Sequence, residues 1–179
     1  MHGPLPPSEE SGALAKAPWE DQHQREPFHV IGRITMAKVH ASIMLPATAQ
    51  SVWATIGEFG GIDKWHPAVR KSEQSESGGT VTRSLDLHGG GVILERLETK
   101  DDEGKTYSYS ILEGPLPVAN YKSTLLVTEN ADRRSCTVEW SSEFTASGAP
   151  EAEAVGIVRG IYEAGFESLR TMFRPSAAG

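Results

Sequence analysis

The stretch from Pro150 to Phe173 sets the terms for the rest of the chain. Val155, Val158, Tyr162, Phe166, Leu169 and Phe173 recur at steps of three and four, with Ile157, Ile161 and Met172 widening the same stripe. That period predicts one long amphipathic helix. Glu151 and Glu153 fall in its first turn and Arg170 in its last, and Arg174-Pro175 ends it, in keeping with the helix dipole and with stop signals. Gly156, Gly160 and Gly165 interrupt the pattern. Each costs roughly 1 kcal/mol relative to Ala in a helix interior. Their presence implies that another element approaches the backbone closely there, or that something fits beneath it.

Upstream, the segments have the character of a sheet able to cover that stripe. From Lys38 to Leu45, Val39, Ala41, Ile43 and Leu45 alternate with Lys38, His40, Ser42 and Met44, which predicts a strand with one buried face. Thr48 is placed to cap a short helix carrying Val52, Trp53, Ile56 and Phe59, broken by Gly60-Gly61. A second short turn covers Ile62 to Trp65. Strands are then predicted at Val69–Gln74, Val81–Leu87, Val92–Leu97 and Tyr107–Leu112, with turn signals at Gly78-Gly79, Gly89-Gly90-Gly91 and Asp101–Gly104. Tyr121, Ser123, Leu125 and Val127 share one face of a further strand, and Cys136, Val138, Trp140, Ser142 and Phe144 one face of the last. The order of strand, two short helices, six strands and long helix predicts an α+β helix-grip architecture: a curved, seven-stranded antiparallel sheet that buries its concave face on the long helix.

Residues 1–35 differ in character, with Pro4, Pro6, Pro7, Pro18 and Pro27 and no sustained period. They are expected to form a disordered tail, and Met36 is a candidate original start that would make them an upstream extension. A single domain over 36–174 follows, then a short disordered end over 175–179. A domain of this length encloses a substantial core and has room for a ligand cavity. The net charge of -7, from 17 basic and 24 acidic residues with no basic cluster beyond Arg133-Arg134, argues against nucleic acid and anionic membrane as partners. Cys136 is the only cysteine, which rules out an intramolecular disulfide and points to a reducing, cytoplasmic setting. No run approaches the length of a membrane-spanning helix, and the N-terminus lacks the pattern of a signal peptide.

Several motifs in order along the chain carry a family resemblance: Ile43-x-Leu45-Pro46 with Val52-Trp53, Phe59 to Trp65-x-Pro67, Gly79-x-x-x-Arg83, Leu94-Glu95-Arg96-Leu97 and the closing helix. Over about residues 38–173 the chain resembles the START-like, or Bet v 1-like (SRPBCC), superfamily, and within it the polyketide cyclase/dehydrase-type group. The resemblance implies a helix-grip fold with a hydrophobic cavity, and no particular ligand. The run Gly114 to Ala119 followed by Asn120-Tyr121-x-Ser123 is similar to the latch-loop region of plant abscisic-acid receptors, although the latch His-Arg-Leu is absent. Arg83, Glu95 and Tyr121 are similar in type and order to the polar cavity residues of lachrymatory factor synthase, which would make them a candidate catalytic set.

The residues themselves support a narrower statement. Arg83 falls on the apolar face of Val81-x-Arg83-x-Leu85-x-Leu87, and Glu95 shares a face with Ile93 and Leu97, so a hairpin would bring the two together. Such a pair serves either as a proton-moving carboxylate with an oxyanion-holding guanidinium, joined by Tyr121 as a third donor, or simply as mutual neutralisation inside the sheet. His66, between Trp65 and Pro67 near the expected cavity mouth, is either a titrating site residue or a turn residue bonding the backbone. Tyr107, Tyr109, Trp140 and Phe166 are candidates to line the cavity, and the loops at Gly60-Gly61 and Pro115–Pro117 are candidate gates.

No pair of histidines has ligand spacing, so no metal is expected. Gly89-Gly90-Gly91 links two strands without a following Lys-Ser/Thr, which is not a phosphate loop. No cofactor is expected, and the serines lack a nucleophile-elbow pattern. The expectation is therefore a protein that holds a small hydrophobic, amphipathic or aromatic molecule in an internal cavity. The alternatives are an enzyme working through Arg83, Glu95 and Tyr121, and a ligand-gated interaction module. Oligomeric state is left open.

Overall fold

In β1 (Ala37–Leu45) the expected alternation is present: Ala37, Val39, Ile43 and Leu45 are buried and Lys38, His40 and Met44 exposed. The computed structural model describes residues 35–175, so residues 1–34 of the expected tail and 176–179 of the expected C-terminal end lie outside it. After β1, α1 (Ala49–Ile56) starts at Thr48, whose Oγ1 accepts the Ser51 N–H at 3.2 Å. A 3-10 helix (Phe59–Lys64) follows and runs through Gly60 and Gly61. The Gly60-Gly61 segment is thus no free loop but part of a packed turn, with Phe59, Gly61 and Ile62 buried.

The remaining strands are β2 (Val69–Ser77), β3 (Thr80–Leu87), β4 (Val92–Asp101), β5 (Thr106–Glu113), β6 (Val118–Glu129) and β7 (Cys136–Ala146), followed by α2 (Glu151–Met172). All seven strands form one antiparallel sheet in the order β1-β7-β6-β5-β4-β3-β2. Every hairpin joins neighbours, and β1 closes against β7. The edge strand β2 carries Arg70, Lys71, Glu73 and Glu76, the charged guard that keeps an open edge from pairing with another chain. Strands extend beyond the apolar runs that marked them, because hairpin pairing continues after burial stops: β2 reaches Ser77 and β4 reaches Asp101, both exposed.

Register shifts bend this sheet at Arg70, Glu98, Leu112 and Asn120, each an extra residue opposite one partner. The shift in β6 matters most for the interior. Val118 pairs with Ala146 and Lys122 with Glu143, so Asn120 and Tyr121 together face Phe144. Asn120 takes φ +54°, a left-handed conformation that Asn tolerates better than most residues. The extra residue restores an inward aim to Tyr121, Ser123, Leu125 and Val127.

α2 lies across the concave face and buries Ala154, Val158, Tyr162, Gly165, Phe166 and Leu169. The stripe is narrower than the sequence pattern implied. Ile157 and Met172 are 36% and 48% exposed, because they flank the line of closest approach by about one residue's rotation or sit in the final turn. Of the three glycines, one meets the expectation of close approach. A Cβ on Gly165 would lie 2.9 Å from His66 Cδ2, 3.1 Å from Trp65 Cζ3 and 3.2 Å from Trp140 Cζ3, whereas Gly156 and Gly160 face open space. Tyr162 stacks on Trp140, with centroids 4.3 Å apart and planes 14° from parallel. Among the described residues no helix is long and apolar enough to cross a membrane.

Candidate functional site

Arg83 and Glu95 sit directly opposite each other on β3 and β4, both aimed into the concave side of the sheet. Arg83 Nε donates to Glu95 Oε2 at 2.5 Å and Nη1 to the Phe59 carbonyl at 2.5 Å. The guanidinium carbon stands 4.1 Å from the Phe59 ring centroid and 5.1 Å from that of Tyr109, so two aromatic faces complete its surroundings. Its side chain has no solvent exposure, and that of Glu95 has 6%. Nη2 of Arg83 and the hydroxyl of Tyr107, both buried, have no hydrogen-bond partner among the described residues.

Burial raises the Glu95 carboxyl above its ordinary range, and the Arg83 charge and hydrogen bond oppose that rise. For Arg83, burial works against the charged form, but Glu95, through charge and hydrogen bond, together with Tyr107 and Tyr109 outweighs it, and the guanidinium stays protonated.

Between this pair and α2 lies a cavity of about 270 Å³. Ile62, Val69, Leu85, Leu87, Ile93, Ile111, Leu116, Ile157, Val158 and Ile161 make it overwhelmingly apolar, and Glu95, Tyr109, Tyr121, Trp140 and His66 are its functional-group lining. Arg83, Tyr107 and Phe166 are not on this wall. Arg83 is enclosed by Glu95, Phe59 and the Tyr109 ring, Tyr107 packs against Trp53 and Phe59, and Phe166 packs against Trp140 from α2. A larger depression of about 510 Å³ is lined by Lys38, His40, Glu98, Lys122 and Glu143, and its charged rim suits water better than an apolar guest.

The wall's polar groups are mostly spoken for. Trp140 Nε1 donates to Tyr109 Oη at 3.1 Å and to Ser123 Oγ at 3.0 Å, and Ser123 donates in turn to the Ser141 carbonyl at 2.8 Å. Tyr121 and Tyr162 share a hydrogen bond of 2.5 Å, and Tyr162 lies 3.1 Å from Ser123 Oγ. Burial holds the phenols of Tyr109 and Tyr121 well above their usual range, so both stay neutral. His66 is 3% exposed. Its Nδ1 accepts the Ala68 N–H at 3.2 Å, which leaves Nε2–H to donate to the Ile161 carbonyl at 2.9 Å. Burial lowers its pKa, with the Arg83 charge adding to the fall and the Ile161 carbonyl opposing it, so the neutral ring is the native form.

At the mouth, the β5–β6 loop lies against the β3–β4 turn. A Cβ on Gly91 would come 3.2 Å from Pro115 Cγ, and one on Gly114 3.2 Å from Ile93 Cγ1. Leu116 of that loop forms part of the wall. In the sequence Leu85 and Leu87 belong to an apolar strand face, and Ile157, Val158 and Ile161 to the helical stripe, with nothing that separates wall from core. The signal available for Ile111 was its place near the end of β5, beside the loop that carries Leu116, whereas Ile157 stands two turns inside α2 and has no such signal. Tyr162, whose hydroxyl ties Tyr121 to Ser123, was likewise visible only as one more member of the helical stripe.

Residues 36–174 match the family described as polyketide cyclase / dehydrase and lipid transport. The chain belongs to that family. Among solved structures, this polyketide cyclase/dehydrase-type chain is similar to XoxI from Bacillus cereus, at 36% identity and TM-score 0.73 over 76% of this chain and 95% of that one. A protein from Bacillus thuringiensis is 35% identical at TM-score 0.73, covering 78% of this chain and 100% of that one. The Zhui aromatase/cyclase from Streptomyces sp. R1128 shares 18% identity at TM-score 0.59, over 76% and 90% of the two chains, a likeness of fold. No curated protein matches the chain. The START-like, helix-grip assignment made from sequence is thereby established.

Proposed function

We propose that this protein binds a small, mainly apolar molecule in the cavity between α2 and the sheet, with Glu95 as its polar anchor. The observation that carries the reading is the placement of a buried carboxylate on a mainly apolar wall, with its charged partner fully buried and off that wall. An ion pair that served stability alone would be as well replaced by apolar side chains. The volume of about 270 Å³ falls just below the range of pockets for drug-sized ligands, which favours a molecule of one or two rings.

The test is to fill the space. Leu85 is 3% exposed and faces the cavity, so Leu85→Phe places a larger ring there without a new polar group. The parent should bind a neutral, two-ring, polarity-sensitive fluorophore such as 1-naphthylamine, and Leu85→Phe should lose that binding while keeping or raising its Tm. Unchanged dye binding in a folded Leu85→Phe protein would place the binding elsewhere.

A second reading, catalysis, is favoured by the same carboxylate. Its raised pKa brings it closer to the working range of a general acid or base, and Arg83 holds it in place. Conversion of a bound compound, followed by mass spectrometry, that stops in Glu95→Gln while binding persists would establish this reading. Conversion that persists in that variant would exclude Glu95 as the acid or base.

A further inference from the structure

We propose that the ligand of this cavity is a neutral hydrogen-bond donor: an apolar ring or chain that ends in a hydroxyl or N–H, and not a carboxylate. The inference rests on the cavity-binding reading above and specifies its ligand. It comes from an inventory of the hydrogen-bonding capacity of the wall. His66 has both ring nitrogens engaged, one with Ala68 and one with Ile161. Tyr121 is engaged with Tyr162, and the Trp140 N–H with Tyr109 and Ser123. Glu95 is different. Its Oε2 takes the Arg83 Nε–H, and its Oε1 has no hydrogen-bond partner among the described residues.

Oε1 is therefore the wall's unengaged charge-bearing atom, and a carboxylate oxygen accepts. Tyr109 retains one proton to give, but it is a neutral donor, and hydrogen bonds to an ionised group are roughly twice as strong as neutral ones. A ligand hydroxyl or N–H pointed at Glu95 gains the stronger bond. A carboxylate finds no cation on this wall: the Arg83 side chain has no exposed surface and does not line the cavity. An anion there would meet a like charge in an apolar setting.

Three compounds with one apolar body separate donor, acceptor and anion: para-propylphenol, para-propylanisole and para-propylbenzoate, titrated calorimetrically into the parent near neutral pH. The phenol should bind about ten- to hundredfold more tightly than the anisole, the worth of a hydrogen bond to a charged group, and the benzoate most weakly. The double variant Arg83→Met/Glu95→Leu removes the pair without stranding a charge, and in it the gap between phenol and anisole should close. An anisole that matches the phenol, a benzoate that binds tightest, or a phenol preference that survives in the folded double variant would each overturn the donor assignment while leaving cavity binding intact. If none of the three binds, the cavity reading fails and takes this one with it.

Discussion

The two halves of the Arg83–Glu95 pair should not be equally dispensable, and the asymmetry follows from where each group stands. Removing Glu95, as in Glu95→Leu, leaves a guanidinium with no solvent exposure, still bonded to the Phe59 carbonyl and flanked by two rings but without a counter-charge. Arginine has no means of escape, because it does not give up its proton at any accessible pH. The loss falls in the range for an uncompensated buried charge, about 3–5 kcal/mol. Against a domain stability of about 5–15 kcal/mol that is a large fraction.

Arg83→Met leaves a carboxylate instead, and a carboxylate can take a proton. For a group of ordinary pKa 4.5, protonation at pH 7 costs about 3 kcal/mol, which caps the electrostatic part of the penalty. Burial already raises this group, and without Arg83 nothing opposes the rise. The native state of Arg83→Met then holds a proton that the unfolded chain releases above pH 4.5. Stability is full below that pH and is lost as pH rises toward the raised native pKa. Urea unfolding monitored by tryptophan fluorescence at pH 5 and pH 8 should show Arg83→Met losing ground at the higher pH, and Glu95→Leu impaired at both. The double variant Arg83→Met/Glu95→Leu should recover most of the loss, a coupling that a double-mutant cycle reads directly. A penalty for Arg83→Met that is the same at both pH values, or one larger than that of Glu95→Leu at pH 5, would refute the argument.

The glycines of α2 should divide by position. Gly156→Ala and Gly160→Ala, with nothing within 4 Å of the new methyl, should each stabilise by up to about 1 kcal/mol through helix propensity. Gly165→Ala drives its methyl into the rings of His66, Trp65 and Trp140 and should destabilise by about 1–3 kcal/mol despite the same propensity gain; thermal unfolding of the three proteins measures both signs. His66, kept neutral by burial, should make stability fall as pH drops below its ordinary value of 6.5, since the unfolded chain takes a proton there and the native one resists. The slope attributable to it reaches at most about 1.4 kcal/mol per pH unit, and should vanish in a folded His66→Gln protein.

Alternation made most of the fold legible. Val81-x-Arg83-x-Leu85-x-Leu87 put a charge on an apolar face, and the following hairpin left Glu95 as the partner within reach, which is where the strands pair them. Cross-strand pairing of this kind depends on a period of two and a turn, both of which are local. What alternation could not convey is where the period breaks. The extra residues at Glu98, Leu112 and Asn120 have ordinary side chains, and nothing in a single strand's pattern marks them as unpaired.

The division between wall and core was illegible for a related reason. Tyr107 and Tyr109 alternate on one face of β5, yet Tyr109 meets the cavity and Tyr107 packs behind it on Trp53 and Phe59. The difference is not in either residue but in where α2 leaves the sheet uncovered. That gap is set by two non-local features. Gly165 lets the helix backbone come down on the Trp65, His66 and Trp140 rings at one point, and Ile157 and Ile161, a turn or two earlier, remain over open space. The bulge at Asn120 then turns Tyr121 inward beneath that space, where its hydroxyl is held by Tyr162 of the same helix. A glycine and a bulge, each unremarkable in its own segment, together decide which of the buried aromatic residues a ligand can touch. A cavity in this fold is the part of the sheet's concave face that the helix cannot reach, and its wall becomes visible only when both are in place.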